Sequence, residues 1–130
     1  MVGYKVARDL GGEYGPALVY AYQGIRYRIG ETTTQGQTYG PMAVFNTQRA
    51  AEKFANGLNH LPHLRVLEVD YIKSTETALW WTTAGVKGSH FHPLRFCPRG
   101  TVLAESVTPL KVIPIRRNEH DPTSGEKEIE

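Results

Sequence analysis

Two arginines two residues apart, Arg26 and Arg28, would share one face of an extended segment, and a second set of planar groups follows downstream in Trp81, His90, His92, Arg95 and Arg99. Guanidinium groups present fixed forks of N–H donors and the rings present π faces, a combination that suits a ligand carrying both phosphate and a flat base. These seven residues are the candidate ligand-binding set. The competing employment is structural: Arg26 and Arg28 pair with Glu31, Glu68 or Asp70 on neighbouring strands, while Tyr20, Tyr22, Tyr27, Phe91 and Phe96 fill the core.

Other chemistry is thinner. His90 and His92 would face the same side of a strand, and Cys97 with His60 or His63 could complete a metal set, but no CxxC, HExxH or His-x3-His spacing accompanies them. The expectation is no metal. Cys97 has no sequence neighbour that marks a base or a lowered pKa, and GxSxG, Walker and GxGxxG patterns are absent. No cofactor follows from the residues themselves.

Composition bounds what can hold these groups. The 130 residues, 40% hydrophobic and 22% charged, match one globular domain. A net charge of +2 lacks the basic stripe that phosphate-dominated affinity for duplex nucleic acid needs. No apolar run reaches the roughly 18 residues of a membrane span, and Met1 to Lys5 does not open a secretory signal. With its single cysteine, Cys97, the chain is expected to be cytoplasmic and to have no membrane partner. Charge is nonetheless uneven: residues 1–117 carry 14 Lys and Arg against 8 Asp and Glu, and residues 118–130 carry 1 against 5. The first span reads as a single compact domain and the second as a flexible acidic tail.

The elements that must position the candidates centre on Ala43 to Ile72. Ala50, Ala51, Phe54, Ala55 and Leu58 form one apolar helical face, with Asn46 or Thr47 as a side-chain cap and Pro62 as the stop, so the spacing predicts a helix over about 47–59. Leu67, Val69 and Tyr71 alternate with Glu68 and Asp70 in the period of a half-buried strand. Tyr4 to Asp9 is a first strand, and Ala17 to Tyr22 with Ile25 to Ile29 reads as a hairpin about Gln23-Gly24. In the latter strand Ile25, Tyr27 and Ile29 would share the buried face. Gly30 to Pro41 reads as a polar loop, Thr77 to Thr83 as a strand sending Trp80 and Trp81 to opposite faces, and Ala84 to Gly100 as a long loop. Thr101 to Val107 is a strand that Pro109 interrupts, with Leu110 to Ile115 extended beyond it. The sum is an α+β domain with a curved, mainly antiparallel sheet of about six to seven short strands and one principal helix.

Val44-Phe45-Asn46-Thr47 followed by Ala50, Ala51, Phe54 and Ala55 resembles the strand-to-helix turn of ADP-ribosyltransferase-like folds, and the layout is also similar to short phage and mobile-element proteins that open Tyr-Lys-Val. The first resemblance implies an NAD-using transferase with Arg8 and Thr47 holding NAD and Glu105 orienting the acceptor. Asn46-Thr47 departs from the Ser-Thr-Ser of those enzymes, and Leu103 stands where a second Glu or Gln would precede Glu105. The favoured expectation is therefore a non-enzymatic binding module, of phage accessory type, that captures a nucleotide-like ligand or a host protein. The transferase is the alternative, and self-association is left open. Because residues 118–130 hold a single aliphatic side chain, Ile129, removing them is expected to leave the melting temperature nearly unchanged in a thermal denaturation.

Overall fold

The computed structural model describes residues 1–17, 25–37, 39–58, 60–82 and 89–114. The expected strand Ala17 to Tyr22, the Gln23-Gly24 turn and the acidic tail lie outside these residues for the most part. Among the described residues are one α-helix and eight strands, an α+β fold with mainly antiparallel pairing and a small closed sheet.

Closure is the feature that organises the domain. Strand β1 (Val2–Asp9) pairs along one edge with β5 (Leu64–Lys73), which pairs with the long β8 (Thr101–Ile113), which pairs with β4 (Met42–Phe45), which returns to β1. Tyr4 stands level with Thr101 through β4 and with Lys111 through β5, ten residues further along the same strand. A stagger this large in a ring of four strands means steep tilt and a narrow interior. Short strands extend the edges: β2 (Tyr14–Pro16) continues the β4 side of β1, and β3 (Thr33–Thr34) continues the β4 side of β8.

Alternation along the strands fills two cores. Leu67, Val69 and Tyr71 of β5 point inward with Ala7, Met42, Val44, Ala104 and Val107, joined by Ile25 and Tyr27. Leu64 and Val66 point outward with Val6 and Phe45 to meet Ala51 and Ala55 of α1 (Gln48–Gly57). Thr47 caps the helix, its hydroxyl accepting from the Ala50 N–H at 3.1 Å. The helix face and the β5 alternation are as the spacing predicts, and of the two cap candidates, Asn46 and Thr47, it is Thr47 that caps.

Four local expectations need correction. Ile25 to Ile29 is not a strand; it contributes only the Tyr14–Tyr27 bridge, and Ile29 is exposed because Gly30, at φ 84°, turns the chain away. Thr33–Thr34, inside the expected polar loop, adds a rung to β8. Ser89–Pro93, inside the expected long loop, is strand β7, paired with β6 (Ala78–Thr82) and followed by a 3-10 turn over Leu94–Phe96. Finally, β8 runs unbroken past Pro109, because the register of β5 shifts between Glu68 and Val69 and the imide falls at that bulge.

Trp80 and Trp81 do part to opposite faces. Trp81 packs against the barrel core, whereas Trp80 lies over Gly40, where an added Cβ would collide with the indole nitrogen. Since Leu67 is fully buried and Ile72 is 59% exposed, Leu67→Ala is expected to cost about 2–5 kcal/mol and Ile72→Ala no more than about 0.5 kcal/mol in urea denaturation.

Candidate functional site

β1 and β4 touch at one residue pair, Tyr4 with Phe45, and then diverge. Lys5 fills the gap. Its Nζ donates to the Ala43 carbonyl at 2.8 Å and lies 5.3 Å from the centre of the Tyr27 ring, so a side chain supplies the bond that a continuing ladder would have made. The residue is 8% exposed, and burial lowers its ammonium from the usual lysine value to about 8. Two of its three N–H donors have no partner among the described residues, and no carboxylate pairs with it there.

The parting strands leave a cavity of about 260 Å³. Lys5, Val6, Ala43 and Phe45 line it from the barrel, Pro16 and Ala17 from the β2 edge, Phe54 from the helix, and Leu79, Trp81 and His92 from the β6–β7 hairpin. Cys97, Pro98 and Thr101 complete the wall. Cys97 donates a long bond from Sγ to the Pro93 carbonyl at 3.7 Å, and burial pushes its thiol up, which makes it a wall group rather than a nucleophile at neutral pH. The other lining residues are apolar except Lys5, His92 and Thr101.

A shallower groove of about 840 Å³ adjoins this cavity, and Phe54 and Pro98 line both. Its charged residues are Arg49, Lys53 and Arg99, with no acidic residue among those that line it. The turn Arg99-Gly100 is pinned to the helix start: the Asn46 N–H donates to the Gly100 carbonyl at 2.9 Å, Gly100 adopts φ 91°, and an added Cβ would stand 2.8 Å from that of Ala50. Arg49 therefore lies in the first helical turn, where a cation opposes the macrodipole and no acidic residue balances it.

The structure divides the sequence candidates into groups. Trp81 and His92 line the cavity, and His90 stacks on Trp81 with ring centres 5.4 Å apart and planes at 16°. Arg99 and Thr47 line the groove, although the Thr47 hydroxyl already caps the helix. Arg95 covers the exposed ring of Phe96 at 4.7 Å. Arg26 and Arg28 stand elsewhere: Glu13 takes Arg28 at 2.7 Å and Arg26 at 3.3 Å, with Glu31 3.8 Å from Arg28. Of the expected carboxylate partners Glu31 is one, but Glu13, brought alongside by the Tyr14–Tyr27 bridge, is the main one.

Of Arg8, Thr47 and Glu105, only Thr47 lines the cavity or the groove described above. Arg8 pairs in the sheet with Gly15 and Leu64, Thr47 sits beyond the end of β4, and Glu105 is an exposed residue at a bulge between Ile72 and Lys73, its carbonyl accepting from the Gln35 N–H at 2.9 Å. Sequence reasoning missed Lys5, Arg49 and Lys53. For Lys5 a faint signal exists, since Gly3 and Ala7 flank it at two residues on either side and leave room for a long side chain on the interior face.

No protein-family model, curated protein or solved structure matches the chain.

A lysine whose folded pKa is depressed binds protons less readily than in the unfolded chain, so it destabilises the fold below pH 8 and that cost fades as the pH rises from about 8 towards 10.5. A shift of this size corresponds to about 3 kcal/mol. The stability of wild type relative to Lys5→Met is therefore expected to rise by up to about 3 kcal/mol between pH 7 and pH 10 in urea denaturation. A difference that does not change with pH would contradict the burial of the amine.

Proposed function

We propose that this domain is a non-enzymatic binding module for a small phosphate-bearing ligand with a flat apolar group, nucleotide-like in form. The observation that supports the reading best is the continuity of the apolar cavity and the basic groove across Phe54 and Pro98. The flat group would enter between Trp81 and Phe45, and the phosphate would rest among Arg49, Lys53 and Arg99. An anion there would also offset the unfavourable placement of Arg49 in the first turn of α1. The phosphate-binding role passes from Arg26 and Arg28, which Glu13 already holds, to the groove cations.

Nucleoside monophosphates, ADP-ribose and NAD form the screen. A ligand at 100 times its Kd is expected to add about 2.7 kcal/mol of stability in thermal denaturation. Arg99→Ala is expected to weaken capture of the responding ligand by about 1.5–3 kcal/mol, while Arg28→Ala leaves it unchanged. Loss of affinity in Arg28→Ala with none in Arg99→Ala would move the site to the other arginines. Nicotinamide release from NAD that disappears in Glu105→Gln would replace the binding reading with the transferase one.

A further inference from the structure

Lys5 lines the cavity in which the flat group of the proposed ligand would sit, and it has features that capture of that group does not use. It is more than nine-tenths buried, has two N–H donors without a hydrogen-bond partner among the described residues, and lines a cavity whose other described lining residues are aliphatic or aromatic apart from Cys97 and Thr101. Both Lys5 and Ala43 line the cavity, and the Ala43 carbonyl holds the Lys5 Nζ at 2.8 Å. Burying an ammonium with no counter-charge among the described residues is a reason to look for use.

We infer that Lys5 is an amine nucleophile whose cavity admits compact apolar aldehydes and captures them as imines. The nitrogen lone pair adds to the carbonyl carbon, and the π pair of the C=O bond moves to oxygen. Transfer of a proton from nitrogen to that oxygen gives a carbinolamine. Loss of the hydroxyl as water, with departure of the remaining nitrogen proton, leaves the C=N bond. One amine and one aldehyde give one imine and one water, and nothing is oxidised or reduced.

Three properties of the site favour this step. Burial holds the lysine near 8, so the neutral nucleophilic amine is populated well below the pH at which surface lysines lose their proton. The apolar wall limits the water that would hydrolyse the imine. At about 260 Å³ the cavity is just below the roughly 300–1,000 Å³ usual for drug-sized ligands, which selects small bodies. The titratable groups around the amine are Tyr27 beneath it and His92 and Cys97 in the cavity wall. No carboxylate stands among the described residues that line the cavity to hold the ammonium charged.

The test uses the full chain with pentanal and sodium cyanoborohydride, which fixes an imine as a secondary amine, and maps the modified lysines by peptide mass. Lys53, Lys73 and Lys111, all exposed, are internal references within each sample. At pH 8 Lys5 is expected to be alkylated about 10-fold faster than each reference, an advantage that disappears when the chain is unfolded in urea. Its rate is also expected to level off above pH 8. Alkylation of Lys5 at the same rate as the references or more slowly would overturn the inference, whether or not any phosphate ligand binds in the groove.

Discussion

The domain depends on how β1 and β4 are joined. A four-strand ring can close only if its first and last strands meet, and here they share one residue pair before the chain directions separate. Lys5 spans the opening with a single hydrogen bond to the Ala43 carbonyl, over the face of Tyr27. A backbone ladder at this point would have sealed the barrel and left no cavity. A shorter side chain would have left the carbonyl unpaired, at a cost of about 1–3 kcal/mol. The long, charged side chain closes the ring at its ends and leaves a gap in the middle, and the cavity is that gap.

The rest of the architecture frames the opening. Helix α1 packs on the outward faces of β1, β4 and β5 and brings Phe54 to one wall; the β6–β7 hairpin, tied to the barrel through the Tyr39–Trp81 bridge and the Gly40 N–H bonded to Trp80, brings Trp81 and His92 to another. Trp80 is held by its indole N–H on Glu76 at 2.7 Å, and Glu76 in turn accepts from Gln35 at 2.9 Å. These polar ties fix the hairpin from outside, so the inner face is free to remain apolar.

Local order in this chain was legible and closure was not. The helix face Ala51, Ala55, Phe54 and the β5 alternation Leu67, Val69, Tyr71 follow from periods of 3.6 and 2, which a sequence displays directly. The meeting of Tyr4 with Phe45, and of β5 with a 13-residue β8, is nonlocal pairing that no period encodes. Pro109 was misleading because a bulge absorbs its missing N–H. The arginines misled for a related reason: Arg26 and Arg28 have the right spacing for a shared face, but only the fold brings Glu13 alongside them. Lys5 was passed over because a lysine in a strand ordinarily faces water.

The central claim is that Lys5 is a buried, solvent-shielded amine at an open seam. Carbon-13 NMR of the lysine Cε resonances reads this directly, since each Cε shift follows the protonation of its own Nζ. One resonance, absent in Lys5→Met, is expected to titrate with a midpoint near 8, well below the ordinary lysine value of about 10.4. A Lys5 resonance that titrates with the others would show the amine in water and contradict the account of the seam and its cavity.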